Sequence, residues 1–301
     1  MQPESFPLIG VALAVASALV LAIGNILQGR GVRTMTAGVV HGGVISQFMH
    51  LVRNRFWMLG ALLLLLSILF QLASLTFAPL MVVQPIGVTA LVFTVLLTSI
   101  AAKKRPSAAV VRAITICVIG VAGFVTVAAL VSTQQAITDG QLVAVLVVLG
   151  AVLLLTAAAL VFRRRRSMPA IVWVVLGGVY SAFVVTLGKT VIMRVQAILK
   201  AQSFSFDVTN LLTLGCLLGI CIAGGLSIYF VQRAHATNGA EVVVAGLTVI
   251  DPAVAVVFGI TILGEANSAP PIAIIAFVVA GAVAVSGVFA LSRADAAPRG
   301  A

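Results

Sequence analysis

The chain has 301 residues, of which 62% are hydrophobic and only 8% charged, and its mean hydropathy is +1.25. Soluble domains carry about 25% charged residues, so a soluble globular protein is excluded. The net charge of +11 has to be located along the chain before it is read as a footprint for nucleic acid.

A bilayer's hydrocarbon layer is about 30 Å thick, so a spanning helix needs roughly 20 consecutive apolar residues at about 1.5 Å each. Nine stretches meet that length: 7–27, 57–78, 80–102, 110–131, 141–162, 170–193, 211–232, 241–264 and 271–291. The expected fold class is therefore all-α, a polytopic transmembrane helical bundle. The residues before the first span hold Glu4 and no Lys or Arg. A secretory signal wants a positive start, so span 1 is expected to be retained. Residues 34–52, with His41, Gly42, Gly43, Ser46, Gln47 and His50, are too polar for a span and are placed at the cytoplasmic interface. The two histidines have no carboxylate or thiol nearby and read as polar interfacial residues rather than a metal pair or pH sensor.

Between the spans the basic residues fall on one side. The odd-numbered connections and the C-terminus hold Arg30, Arg33, Arg53, Arg55, Lys103, Lys104, Arg105, Arg163, Arg164, Arg165, Arg166, Arg233, Arg293 and Arg299, whereas the even-numbered connections hold Arg194 and Lys200. Excess Lys and Arg stay cytoplasmic, which predicts a multi-pass protein of the plasma (inner) membrane with its N-terminus outside and its C-terminus inside. Topology thus accounts for the positive charge, and nucleic acid is not an expected partner. Arg163, Arg164, Arg165 and Arg166 read as a cytoplasmic anchor where anionic lipid would bind. Cys117, Cys216 and Cys221 all lie within spans without Cys-x-x-Cys spacing, which points to packing. Gly215 with Gly219, and Gly224 with Gly225, read as close-packing surfaces.

The two halves of the chain resemble one another. Ser17, Ala18, Gly24, Asn25 and Arg30 are matched by Ser181, Ala182, Gly188, Lys189 and Arg194 at an offset of 164, and Gln71, Val92-Phe93 and Pro106 are echoed by Gln232, Val257-Phe258 and Pro271 at offsets of 161 to 165. With nine spans the related segments run in opposite directions, the inverted-topology repeat on which many secondary transporters are built. The expected organisation is a first repeat over 1–131, a linking span and Arg-rich loop over 132–169, a second repeat over 170–292 and a cytoplasmic tail over 293–301.

The run from Gly10 to Arg33, the stretch Ala78-Pro79-Leu80-Met81-Val82-Val83-Gln84-Pro85, and the stretch from Asp251-Pro252 to Gly264-Glu265 resemble the drug/metabolite transporter superfamily. Nine spans and the Gly188-Lys189 pair are similar to its NIPA-like, magnesium-transporter-like branch, beside the EamA-like members. The resemblance covers nearly the whole chain and implies a transporter fold, with magnesium as one cargo. Two features depart from it. The commoner members have ten helices in two five-helix repeats, and an acidic residue before the proline, as in Asp251-Pro252, is not a NIPA-like trait.

An ionisable group inside a bilayer is a functional candidate by default. Asp251 sits near the midplane of span 8, and Pro252 frees a backbone carbonyl near Thr248. A carboxylate, a carbonyl and a hydroxyl would suit a cation or a proton, while the competing reading is a structural carboxylic acid held between helices. Lys189 lies about 28 Å from the cytoplasmic side, roughly 13 Å from Asp251 in depth. It is expected to snorkel to the outer interface or to line an outward vestibule. Ser181, Asn25, Gln28, Gln71, Gln84 and Gln232 are polar groups suited either to a solute or to holding helices together. Glu241 and Glu265, at the ends of span 8, are expected to be solvated.

No His-Glu-x-x-His or Gly-x-Ser-x-Gly motif and no carboxylate pair spaced for acid/base work is present, so an enzyme is not expected. The expected function is a secondary transporter moving a small polar metabolite or cation, proton- or cation-coupled, through a cleft lined by spans 1, 3, 6 and 8. A magnesium or other divalent-cation transporter, a lipid-linked-sugar flippase and a non-transporting partner subunit are the rivals. No cofactor is expected, the metal ligands are unknown, and the partners are the cargo, the lipid bilayer and, in one arrangement, a second copy of the chain as a homodimer.

Overall fold

The structure is a computed structural model, which describes residues 7–36, 53–103, 105–132, 137–162, 168–201, 208–238, 240–267 and 269–296. Among these residues ten helices follow one another: α1 (Pro7–Thr36), α2 (Arg55–Phe77), α3 (Leu80–Gly87), α4 (Thr89–Ala101), α5 (Ala108–Val131), α6 (Asp139–Phe162), α7 (Ala170–Ala201), α8 (Val208–Thr237), α9 (Ala240–Thr261) and α10 (Pro271–Ala296). No strand occurs among the described residues. They form nine units long and apolar enough to cross a membrane, α3 and α4 together making the third. The chain is thus an all-α polytopic bundle. Leu69, Leu154, Leu155 and Val278 point outward from it, as side chains facing lipid do. His41, His50 and Arg163, Arg164, Arg165 and Arg166 lie outside the described residues. α1 runs on to Thr36, into the stretch expected at the interface.

Local chemistry sets the ends and breaks. Asn54 caps α2, its Oδ1 accepting from the N–H groups of Phe56 (2.9 Å) and Trp57 (3.3 Å), and Ser107 caps α5 through the N–H of Val110 (3.3 Å). Such side chains satisfy donors that a helix start leaves free. The third span breaks at Val88, whose N–H reaches the Pro85 carbonyl (3.2 Å) instead of a partner a full α-turn back, before α4 begins. α9 continues through Pro252 to Thr261.

Helix pairing follows the same plan in both halves. The most extensive contacts are α1 with α2, α7 with α8, and α5 with α10 across the halves. α1 meets α3 and α4 as α7 meets α9, α5 meets α3 and α4 as α10 meets α9, and α6 is the extra element, packed on α8 and α7. Without a hydrophobic drive between helices in lipid, close approach of small residues holds such pairs together. A Cβ added at Gly120 would lie 2.2 Å from the Ala284 nitrogen, and one at Gly287 would lie 2.4 Å from the Cys117 nitrogen. α5 and α10 therefore touch backbone to backbone.

Interhelix hydrogen bonds recur at matching places in the two halves. Ser67 Oγ donates to the Ser17 carbonyl and Ser227 Oγ to the Gly177 carbonyl, both at 3.1 Å and each across 50 residues. The acceptors are 160 residues apart (17 to 177), as are the starts of α3 and α9 (80 to 240), while the starts of α1 and α7 (7 to 170) and of α5 and α10 (108 to 271) are 163 apart.

Candidate functional site

Asp251 is placed by a glycine contact. A Cβ at Gly178 of α7 would stand 2.7 Å from Ile250 Cγ2 and 3.3 Å from the Asp251 nitrogen, so α9 approaches α7 as closely as it does because Gly178 has no side chain. One turn along α7, Ser181 Oγ donates to Asp251 Oδ2 at 2.7 Å. The other carboxylate oxygen, Oδ1, is buried with no hydrogen-bond partner among the described residues. Asp251 is eleven residues from the start of α9 and ten from its end, about 15 Å from either at 1.5 Å per residue. A buried acceptor without a donor is costly, and such a group in the middle of a span calls for a proton, a water or a cargo group.

The expected neighbourhood of Asp251 is corrected in one respect. Thr248 Oγ1 donates to the Val244 carbonyl within its own helix (2.7 Å), and Thr248 and Pro252 line a different space. That space is an almost wholly apolar cavity of about 250 Å³ between α3, α5, α9 and α10, with Pro85, Val121, Phe124 and Phe277 in its walls. Asp251 turns instead to Ser181. The carboxylate, carbonyl and hydroxyl read as a cation trio are therefore not assembled. Successive residues of a helix point about 100° apart, so neighbours such as Asp251 and Pro252 face different partners.

Lys189 lies deeper in the protein than snorkelling allows. It is 2% exposed and its Nζ donates to Oε1 of Glu265, itself 3% exposed. Glu265 also accepts from the N–H of Leu80 at Oε1 (2.8 Å) and of Met81 at Oε2 (2.9 Å), the first two residues of α3. A carboxylate there satisfies two orphan donors and complements the positive end of the helix dipole. Two glycines make the fit. Gly264 (φ 68°) turns the chain back over the end of α9, and Gly259 leaves room for the carboxylate, since a Cβ there would lie 2.7 Å from Oε2. The expectation that Glu265 is solvated is thus overturned. Nearby, Arg194 pairs with Asp139 and Gln141 Nε2 donates to the Leu263 carbonyl (3.0 Å), tying α6 to the same end of the bundle.

Sequence reasoning had the pieces of this pair without joining them. Lys189 toward the C-terminal end of span 6 and Glu265 just past the C-terminal end of span 8 meet at one level, and a buried ammonium demands a carboxylate at its own depth. The separation of Lys189 from Asp251 does hold, since Ser181 and Lys189 are eight residues apart on α7, about 12 Å. Of the uncharged candidates, Gln84 is 5% exposed and its Nε2 is buried without a partner. Gln28 packs where α1 crosses α2 at Gly60, Gln71 is half-buried, and Asn25 and Gln232 are exposed. The side chain of Glu241 lies outside the described residues. No group of three or more His, Cys, Asp or Glu gathers as a metal cage among the described residues. Comparison with protein-family models, with curated proteins and with solved structures finds no match for this chain, so its site is read from its own geometry.

Proposed function

We propose that this chain is a secondary transporter of the drug/metabolite-transporter type, moving a small polar metabolite or cation, with Asp251 as its coupling group. The observation that carries this reading is Asp251 itself, a mid-span carboxylate with one oxygen held by Ser181 and the other buried without a partner. A purely structural acid would have both oxygens satisfied. Two halves with the same helix pairing, meeting at α5–α10 and α3–α9, supply the elements that rock against one another in alternating access.

The test is flux into proteoliposomes across an imposed pH or cation gradient. Asp251→Asn is expected to abolish gradient-driven flux while the protein still folds and inserts. Undiminished coupled flux in that variant would sink the reading. Quenching of an internal metal-sensitive dye by added Mg²⁺ separates a divalent-cation transporter from a metabolite carrier. The apolar cavity of about 250 Å³ favours one second reading, a flippase whose lipid-linked cargo keeps its hydrocarbon there; transfer of a fluorescent lipid-linked sugar between leaflets tests it.

A further inference from the structure

The end of the bundle where α3 begins holds more hydrogen-bond donors than its one acceptor uses. The donors are the N–H groups of Leu80 and Met81, the Lys189 ammonium with three N–H groups, and the Gln84 amide with two. Glu265 takes one from each of the first three. Lys189 has no other hydrogen-bond partner among the described residues, and Gln84 Nε2 has none. Gln84 is one turn along α3 from Leu80 and hence on the same face. Side chains of a helix lean toward its N-terminus, so the Gln84 amide leans toward the turn that Glu265 caps. Gln84 and Lys189 are at least nine-tenths buried, and water does not make up the deficit freely.

A helix start and a buried ammonium converging on one carboxylate, with an unspent amide donor one turn along the helix, make an anion site. Glu265 fills that site from the α9–α10 connection on the turn at Gly264, so the group inside is tethered to the second half of the chain while α3 belongs to the first. We infer that the N-terminal turn of α3, Lys189 and Gln84 form an anion-binding cradle with Glu265 as its resident occupant, which the carboxylate or phosphate group of a small solute displaces. The inference deepens the transporter reading and rests on it in one respect, that the displacing solute is the cargo. Displacement would also untie α9–α10 from α3 and free the halves to move at that end. An anion carrying more oxygens than a carboxylate uses the donors that Glu265 leaves over.

The test needs binding rather than flux. In Glu265→Ala the cradle is vacated and Lys189 is left uncompensated, so acetate is expected to raise the thermal unfolding temperature of the purified full chain. Sodium chloride at matched ionic strength should not. A site blocked by its own occupant shows an affinity lowered by the fraction of time it stands open, so acetate should bind Glu265→Ala about tenfold or more tighter than the wild type. Inorganic phosphate should act likewise, and the double variant Lys189→Met/Glu265→Ala should lose the response.

An unresponsive Glu265→Ala, or a double variant that responds equally, would overturn the cradle. If Glu265→Ala does not fold, thiol labelling of Asn267→Cys in a Cys221→Ser background replaces it, Asn267 being exposed beside the turn. Acetate should speed that labelling, and an unchanged rate rejects the proposal. Stabilisation by phosphatidylglycerol micelles but not by acetate or phosphate would assign the cradle to a lipid headgroup and overturn the solute form. Anion binding without coupled flux would leave the cradle standing and remove the transporter reading instead.

Discussion

The two carboxylates of the second half that bond across helices, half-buried Asp251 and buried Glu265, are built to opposite specifications. Glu265 accepts from two backbone N–H groups and an ammonium, and it bridges from the α9–α10 connection to α3 and α7. Asp251 accepts from one hydroxyl and leaves an oxygen buried and unpartnered. One is held by charge and dipole at a helix start, the other by a single neutral donor near the midplane. A carboxylate with donors on both oxygens stays in place until another anion competes for them. One with an oxygen to spare is ready for a new partner. Their stability costs should therefore rank in one order and their effects on coupling in the other.

The largest expected loss of stability is at the satisfied end. Lys189→Met leaves Glu265 buried without its ammonium and is expected to cost about 3–5 kcal/mol, the usual penalty for stripping one partner from a buried pair. Lys189→Met/Glu265→Gln should recover much of it, because the neutral amide oxygen still accepts from the start of α3. Denaturant unfolding in mixed micelles gives both values, and a single variant as stable as the wild type would show that the pair is not buried as described. Next comes the contact that places Asp251. Gly178→Ala drives a Cβ to 2.7 Å from Ile250 Cγ2, and overpacking of this kind costs about 1–3 kcal/mol. Because it pushes α9 away from α7, it should also lengthen the bond from Ser181 to Asp251 and lower coupled flux, whereas Gly225→Ala, where a Cβ meets open space, should do neither.

The spans were legible because length and hydropathy are the whole requirement for crossing a bilayer. The helices begin within three residues of the expected starts, and several run on past the expected ends, as α1 does to Thr36 and α7 to Ala201. Asp251 was legible for the same reason, since a carboxylate in the middle of such a stretch is conspicuous. The break at Val88 was not, because spans 3 and 8 both contain a proline, Pro85 and Pro252, and only the first is followed by a break. The partner of Lys189 was hidden by a turn. A Glu just past a span reads as solvated until Gly264 folds it back and Gly259 makes space for it.

The smallest stability effects carry the sharpest contrast. Ser67→Ala removes the contacts of Ser67 Oγ with the carbonyl and hydroxyl of Ser17 inside the α1–α2 pair and is expected to cost about 0.6 kcal/mol, the average for a side-chain hydrogen bond between membrane helices, or a little more, with coupled flux unchanged. Ser181→Ala should cost about 1 kcal/mol, because it leaves Asp251 with no protein donor, and it should shift the pH at which flux is half-maximal. Asp251→Asn is expected to stay within about 0.5 kcal/mol of the wild type. The amide oxygen still accepts from Ser181, and the position of Oδ1, which makes no bond to lose, tolerates an uncharged group. Yet an amide cannot take up a proton or neutralise a cation, so the same substitution should end gradient-driven flux. If Asp251→Asn instead destabilised the protein as much as Lys189→Met does, with flux lost only in proportion to folded protein, the contrast between the two carboxylates would collapse. Asp251 would then be a second structural acid like Glu265.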